Sequence, residues 1–555
     1  MESRSADDPE PASGRHQTHM MKSRPRLLSR SWPWQIVGLA SLAWFLLRVV
    51  PKPARASYPC QRAAAPLAAG FIVWLTALVS SAAALRQAWR RFEVARLASG
   101  TALVCVGLAA IVAAFLSSPS AGVSAWVPGE GPNNPMGVAK GIHPGRVVWV
   151  RTAAAVKWDG KTGNWYDDSR GNQKNISGML SKGIRWLTGK NADEDAWVAI
   201  FKYYNSTHGR GSVGYRKGET VAIKPNLVTC FEYDNSGYTS KSVDNDAHLL
   251  YALVDQLVNK AGVPAAKISI YTATSLLSPG LGDQLVPDYI YNKIRSNAAF
   301  KRVRFYDTVG AHGRLKAGVS SHVISWSVPG ATAFETDHIA TVPANSTYHI
   351  NFAVLKSHAS NAVSLCAKNF GGSFCRSFGA ANSPGHNFLD LHQYMNNGAV
   401  SGDQPGQYRS LVDLAGHRDL GGKTVLYLID GLWGGNLPAG WDGRPEKWNT
   451  CGIANDWPKS LFASFDPVAI DSVALDFCYQ QYSVTQAFLH GDDYLHEMAL
   501  ADNPPSGIVY APSNDGVRLA SLGVHEHWNN AVDKKYSRNL SPAGTGVELV
   551  KSGPK

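Results

Sequence analysis

Side chains that could bind or transform a charged ligand follow three short apolar runs in this chain of 555 residues. They are Lys224 and Asn226 after the first run, Lys356, His358, Asn361, Lys368 and Asn369 after the second, and Asp430 after the third. Open α/β sheets bind their ligands at the carboxyl ends of the strands. If each apolar run is a strand of one parallel sheet, we expect these side chains to lie together as one polar site.

The residue types predict the chemistry of this site. Lysines, a histidine and amides at one sheet edge favour an anion, either a carboxylate or a phosphate. A lysine that is removed from water can also act as a base or a nucleophile. Lys356 or Lys224 would hold the anion, and His358 would transfer protons. The alternative interpretation is that each lysine lies along the protein surface with its ammonium group in water.

Two other groups of residues are weaker candidates. The spacing of the first group suits neither one helical face nor a known zinc motif, which favours a loop; it comprises His386, Asp390 and His392. The second group has the residue types of a metal site, but solvated charge at a helix start is the favoured interpretation. It comprises His490, Asp492, Asp493, His496 and Glu497. The sequence therefore assigns no metal ligand.

The elements that would position these residues alternate along the chain. The patterns predict strands at 220–223, 267–271, 302–306, 348–355 and 423–429, and helices at 250–258 and 283–298. A later helix begins at Asp466, which is a cap, with Pro467 at its first position. Asp471 lies one turn into this helix and is a further candidate for the site, exposed aspartate being the alternative. This alternation predicts an α/β fold with a mainly parallel sheet and helices on both faces.

Three long apolar stretches precede this part, at about 34–50, 65–85 and 97–116. Each is close to the roughly 20 residues that cross a bilayer, which predicts a transmembrane region of about three helices. Nine basic residues flank the predicted inner side against four on the outer side, which places the C-terminal part outside the cytoplasm. Alternatively, 24–56 is a cleaved signal sequence, with the same result.

The predicted organisation has four parts: a disordered cytoplasmic tail (1–30), a transmembrane anchor (31–118), a linker or extended arm (119–144) and an exported α/β domain (145–555). Of the net charge of +12, the first 122 residues carry +9. The remainder is nearly neutral and shows no basic stripe, which excludes nucleic acid as a partner. The predicted partners are the lipid bilayer and a small anionic ligand.

The cysteines of the predicted exported part favour disulfides, since that compartment is oxidising. The candidates, whose pairing the sequence leaves open, are Cys60, Cys230, Cys366, Cys375, Cys451 and Cys478. Cys366 and Cys375 are nine residues apart, a spacing that matches no standard zinc or iron–sulfur motif. A structural role is the favoured interpretation.

Four motifs in order resemble the bacterial and archaeal domain-of-unknown-function family 362. They are VAIKPNL at 221–227, FAVLKSHASNAVSLCAKNFGG at 352–372, YLIDGL at 427–432 and SFDPVAIDSVAL at 464–475. The positions that fit the family's pattern are Lys224, Pro225, Asn226, Lys356, His358, Lys368, Asn369, Asp430, Asp466, Pro467, Ala469 and Asp471. The segments 57–66 and 137–150 are similar to a membrane-anchored branch of this family.

The resemblance implies an uncharacterised activity. Some family members are fused to ferredoxin-like domains, which suggests redox or metal-linked chemistry, but this chain has no ferredoxin cysteine run. A pocket of lysines and a histidine is also similar to that of the lactate racemase family. No motif of this chain establishes that resemblance, and the sequence specifies no cofactor. Two hypotheses follow: an enzyme that acts on a small anionic substrate, or a module that binds an anionic ligand or a partner without catalysis.

Overall fold

The structure is a computed structural model, which describes most of the chain from residue 131 onward. The described residues are 131–552 without 228–231, 235–236, 240–241, 274–285, 308–309, 311, 329–335, 359–360, 376–405, 437–442 and 483–490, and a few positions between 42 and 101. The chain separates into two units, Met1–Gly122 and Val123–Lys555. All the elements described below belong to the second unit.

The α-helices of this unit are α1 (Gln173–Thr188), α2 (Asp193–Thr207), α3 (Ala247–Asn259), α4 (Val286–Ser296), α5 (Thr341–Asn345), α6 (Cys366–Asn369), α7 (Ser410–Gly416), α8 (Pro467–Gln481), α9 (Asp493–Ala499) and α10 (Ser537–Leu540). The strands are β1 (Met136–Gly137), β2 (Arg146–Arg151), β3 (Val221–Pro225), β4 (Glu232–Asp234), β5 (Gly237–Thr239), β6 (Ile268–Tyr271), β7 (Arg304–Asp307), β8 (Leu315–Lys316), β9 (Val319–Ser325), β10 (Thr336–Ala340), β11 (Tyr348–His358), β12 (Ala362–Val363), β13 (Phe374–Cys375), β14 (Thr424–Asn436), β15 (Arg444–Pro445), β16 (Ser460–Ser464), β17 (Val524–His525) and β18 (Glu548–Ser552). Short 3₁₀ turns lie at Asp168–Arg170, Ala265–Lys267, Ala298–Phe300, Phe370–Gly372 and Gly421–Lys423.

The central sheet is mixed, and it contains antiparallel pairs that the prediction of a mainly parallel sheet did not include. Its strands lie in the order β18-β2-β16-β14-β11-β3-β6-β7-β8. The strands from β14 to β8 are parallel to their neighbours, whereas β16 is antiparallel to both β14 and β2. A parallel return needs a crossover connection. The described part of the connection from β14 to β16 contains no helix, so β16 returns antiparallel.

Helices cover both faces of this sheet, and alternate strand residues enter two apolar cores. In β11, Ile350 and Phe352 pack in the core beneath α1 to α4. Ala353 and Leu355 enter the opposite core, beneath α6 to α9. Successive strand residues point to opposite faces, so a strand that is buried on both sides reads as the continuous apolar run seen in the sequence.

The predicted strands and helices of this region agree closely with the observed ones. The run predicted at 348–355 is β11, which continues as far as His358. The helix predicted at 250–258 is α3, and its cap is Asp246, whose carboxylate accepts a hydrogen bond from the backbone N–H of His248 at 2.8 Å. The α/β class is therefore confirmed. The sequence patterns had not located α1, α2, β2, β16 or β18.

Helix α8 begins at a buried carboxylate that joins three parts of the chain. Asp466 accepts hydrogen bonds from the backbone N–H groups of Val468 and Ala469, at 3.0 and 2.9 Å. It also accepts from the N–H of Lys140, at 2.9 Å, and of Val524, at 3.2 Å. The predicted cap is thus confirmed. Asp466 also fastens the N-terminal arm, where β1 pairs with β17.

The prediction of a transmembrane region, which was part of the predicted fold class, is corrected by the structure. Among the described residues, no helix is long and apolar enough to cross a membrane. The few described positions before residue 131, such as Leu42 and Ala43, are helical. The rest of the three apolar stretches, and the linker before residue 131, lie outside the described residues.

We predict that Asp466→Ala lowers the free energy of unfolding by about 2–4 kcal/mol, because it removes a cap and leaves several buried N–H donors without an acceptor. Asn172→Ala is the matched control. Asn172 is an exposed cap of α1 that accepts one bond, from the N–H of Asn175, and its loss should cost about 0.5–2 kcal/mol. Urea denaturation measures both values. Equal losses would show that the additional contacts of Asp466 contribute nothing.

Candidate functional site

The first predicted site residue, Lys224, lies inside the protein at the carboxyl end of β3. Its side chain is 1% exposed, and its Nζ donates a hydrogen bond to the carbonyl of Pro225 at 2.8 Å. A Cβ atom at Gly372 would lie 2.9 Å from this Nζ and 3.2 Å from Oγ1 of Thr272. A larger residue at position 372 would require the end of the Lys224 side chain to move.

Lys356 lies near the end of β11 and is 2% exposed. Its Nζ donates to the carbonyl of Val243 at 2.7 Å and to Oδ1 of Asp244 at 3.2 Å. The Asp244-Asn245-Asp246 segment therefore has two roles: Asp246 caps α3, and Asp244 supplies the counter-charge of Lys356. No local pattern indicates this pairing, because it joins residues 112 positions apart.

Lys368 and Asn369 lie on α6, the short helix that follows β11. The start of α6 is held by Asp471, whose carboxylate accepts from the N–H groups of Cys366 and Ala367 at 2.8 and 2.9 Å. At its end, Asn369 donates from Nδ2 to the carbonyl of Lys224 at 2.9 Å. These bonds fix α6 against β3, so that Lys368, which is 8% exposed, lies near Lys224 and Lys356.

The three lysines form one electrostatic cluster, called here the lysine cluster (Lys224, Lys356 and Lys368). Burial lowers the pKa of Lys224 to about 7, against the opposing attraction of Asp244. Burial and then the charges of Lys356 and Lys224 lower the pKa of Lys368 to about 7. The interpretation in which each lysine keeps its ammonium group in water is therefore wrong. Because the charges of Lys356 and Lys224 both act on Lys368, the three lysines lie within electrostatic range of one another.

Polar atoms without a hydrogen-bond partner among the described residues accompany the lysine cluster. They are Oδ1 of Asn226, Oδ1 of Asn369, Oγ1 of Thr272 and both amide atoms of Asn361, and all are buried. Buried amide and hydroxyl groups are normally paired, because an unpaired one costs about 1–3 kcal/mol. Thr272 is the member that sequence analysis missed, since it follows a strand as an ordinary turn residue.

His358 lies at the end of β11 and is half-buried. Its Nδ1 accepts a hydrogen bond from the backbone N–H of Asn361 at 3.3 Å. Ala362, at a φ of 61°, begins β12, which pairs with the end of β11. His358 and Lys356 are two residues apart in an extended strand and lie on the same face of it.

Asp430 and Asp471 are buried supports of the site. Asp430 accepts from the backbone N–H of Asp246 at 2.7 Å and of Leu432 at 3.0 Å, which holds the Asp244–Asp246 segment against β14. Burial and then the charge of Asp246 raise the pKa of Asp430 to about 7. Burial raises the pKa of Asp471, which holds α6, to about 7. Both residues position the lysine cluster through the backbone, and Asp471 is not the exposed aspartate of the alternative interpretation.

In the second group of weaker candidates, Asp492, Asp493 and Glu497 are buried and His496 is half-buried, so the interpretation of these acidic side chains as solvated was wrong. Asp493 pairs with Arg409 at 3.1 Å, and the carboxylate of Glu497 accepts from Ser506 and Tyr510. Helix α9 packs against α8 and β17, which removes these charges from water. His490 lies outside the described residues, as do His386, Asp390 and His392.

The described cysteines with known side-chain positions are Cys366, Cys451 and Cys478, and all three are buried free thiols. The expected disulfides therefore do not involve them. Cys60 and Cys230 lie outside the described residues. A cavity of about 420 Å³ lies elsewhere in the unit, lined by Lys140, Tyr203 and His208 among others. None of the predicted site residues lines it.

Fold and site together define an α/β protein with a buried cationic cluster at the carboxyl ends of its parallel strands. Residues 221–476 match the family model described as Domain of unknown function (DUF362). The match begins at the first of the four sequence motifs and ends just after the last, so the resemblance to this family is confirmed. No curated protein and no solved structure matches the chain.

We predict that the free energy of unfolding of the Lys368→Met variant exceeds that of the wild type most at pH 7 and below. The folded-state pKa of Lys368 is about 7, below its ordinary value of 10.5. Between these values the unfolded chain binds more protons, so the wild type gains stability as pH rises, by up to about 1.4 kcal/mol per pH unit. The variant lacks this gain, and its advantage should shrink between pH 7 and 9.5.

Lys202→Met, at an exposed position of α2, is the control and should differ little from the wild type at every pH. Urea denaturation across the pH range measures all three proteins. A constant difference between Lys368→Met and the wild type would contradict the lowered pKa.

Proposed function

We propose that this protein is an enzyme that binds a small anionic substrate at the lysine cluster and transfers a proton of that substrate. The observation that carries the proposal is the burial of three lysine side chains, none more than 8% exposed, next to one another. Burying like charges together is costly unless an opposite charge joins them. Asp244 offsets part of this charge, and an anionic ligand would offset more of it.

The polar atoms around the lysine cluster indicate which groups the substrate carries. Oδ1 of Asn226 and Oδ1 of Asn369 can only accept hydrogen bonds, and among the described residues they have no donor. A ligand that carries hydroxyl or amino groups beside its anionic group would satisfy them. The proposed substrate is therefore a small hydroxy- or amino-substituted carboxylate or phosphate.

The lysines divide into an anchor and candidate bases. Lys356 has its counter-ion in Asp244, at 3.2 Å, and suits the fixed anchoring of an anion. Lys224 and Lys368, with pKa values of about 7, are partly neutral at physiological pH. A neutral amine can accept a proton or attack a carbonyl. His358, on the same strand face as Lys356, is a further candidate for proton transfer.

The alternative function is an anion-binding module without catalysis. The hydrogen bonds of Lys224 and Lys356 to backbone carbonyls are compatible with it, since they fix both ammonium groups. Strongly lowered lysine pKa values are typical of catalytic sites, which favours the enzyme. The family description and the fold leave the activity open, and the predicted position outside the cytoplasm stays a prediction.

We predict that phosphate or a small hydroxy acid raises the melting temperature of the wild-type protein. A ligand that binds only the folded state stabilises it by RT ln(1 + [L]/Kd), which is about 2.7 kcal/mol at 100-fold excess over Kd. Lys368→Met should lose most of this gain while remaining folded. Thermal-shift measurements with a panel of small acids at pH 7 check this.

Two further variants separate specific effects at the lysine cluster from general ones, and ligand binding from proton transfer. Lys202→Met, the exposed control, should keep the full ligand-dependent gain. Lys368→Arg keeps a positive charge but cannot lose its proton, so it should keep the gain and lose any exchange of the ligand's C–H protons in D₂O. Ligand binding without wild-type exchange would favour the binding module. A gain that is equal in Lys368→Met and the wild type would overturn the site itself.

A further inference from the structure

A second cluster of ligand-type side chains lies outside the lysine cluster, and is called here the histidine cluster (Asp492, His496 and His525). Each residue offers one ligand atom, and among the described residues these three atoms lie within 4.8 Å of one another. Asp492 and His525 are buried and His496 is half-buried. Side chains with these ligand atoms that converge in this way can bind a metal ion.

The backbone explains why the three residues meet. Asp492 is the residue before α9 and His496 lies four positions later, so both face the same side of the helix. His525 ends β17, against which α9 packs. Strand β17 is itself held by β1. The ligands therefore sit on packed elements rather than on loops.

Hydrogen bonds behind the cluster fix the proton of His525. The hydroxyl of Ser472 donates its single proton to the carbonyl of Val468 at 2.8 Å. Ser472 also lies 2.8 Å from Nδ1 of His525, and while its proton is donated to Val468 its oxygen can only accept a hydrogen bond from Nδ1. Neutral His525 thus carries its proton on Nδ1, which gives Nε2 the lone pair that a metal requires. Metal-bound histidines usually have such a partner on the other ring nitrogen.

A second histidine orients the carboxylate of the cluster. Nδ1 of His527 lies 2.6 Å from Oδ1 of Asp476, and its Nε2 lies 3.4 Å from Oδ2 of Asp492. Ser472 and Asp476 are four residues apart on α8, so one face of this helix supports both histidines. Hydrogen-bonded groups of this kind, which contact the ligands and not the metal, orient the ligands in many metal sites.

We propose that Asp492, His496 and His525 bind a divalent transition-metal ion through two imidazole nitrogens and one carboxylate oxygen. Zinc and iron(II) both accept this ligand set. Three protein ligands leave a coordination position for water or a small molecule, as in catalytic rather than structural zinc sites. His527 acts as a positioning residue and does not join the ligand set.

The test uses the full-length protein without a histidine tag, stripped with a chelator and titrated with zinc chloride in a calorimeter. The wild type should bind one equivalent of zinc at this site, and its melting temperature should rise with zinc. His496→Ala should weaken this binding by more than 10-fold, and Ser472→Ala by about 10-fold with the stoichiometry unchanged. His322→Ala is the matched control, since His322 pairs with Asp419 away from the cluster, and it should bind zinc as the wild type does.

His496 is half-buried, so its variant should fold even if variants at the buried His525 do not; circular dichroism checks this. The proposal is overturned if the folded wild type binds no stoichiometric zinc. It is equally overturned if His496→Ala binds zinc with wild-type affinity. Neither result would bear on anion binding at the lysine cluster, which the thermal-shift measurements test separately.

Discussion

The structure of this protein depends on the burial of lysine ammonium groups at the ends of its parallel strands. Removing an ammonium group from water costs several kcal/mol even after relaxation, and three lie close together here. The chain offsets part of this cost locally. Lys224 and Lys356 each donate to a backbone carbonyl, and Asp244 supplies a carboxylate. Gly372 leaves the space that Lys224 occupies.

Two buried aspartates hold in place the segments that carry the lysine cluster and its counter-ion. Asp430 and Asp471 each accept two backbone N–H bonds, and these bonds place the segments that carry Asp244 and Lys368. Helix α8 connects the two clusters, because its residue Asp471 holds α6, which carries Lys368. The next residue, Ser472, contacts His525. A change at the histidine cluster that shifts α8 would therefore also act on the lysine cluster.

Sequence patterns predicted the inner part of this fold well, for physical reasons. The strands β3, β11 and β14 are buried on both faces, so each is a continuous apolar run that ends in a polar residue. The helix cap at Asp466 is likewise a local signal. The outer strands β2, β16 and β18 join distant parts of the chain, and no local pattern shows that pairing. The mixed direction of the sheet follows from these strands and was missed with them.

The candidate site was predictable in its residue types but not in its electrostatics. Lysines at strand ends can be recognised in the sequence, whereas their burial and the pairing of Lys356 with Asp244 depend on tertiary packing. Burial also decided the role of the acidic residues near α9, which look solvated in sequence. His525 completes the histidine cluster from 29 residues beyond His496 and follows no spacing motif.

The central claim is that the lysine cluster binds an anion, and a crystal soaked in selenate tests it most directly. The anomalous scattering of selenium locates the anion without reference to any model of the protein. The account predicts a peak with selenate oxygens about 3 Å from Nζ of at least two of Lys224, Lys356 and Lys368. Carboxylate side chains of this chain paired with all three ammonium groups, with no selenium peak among them, would contradict it.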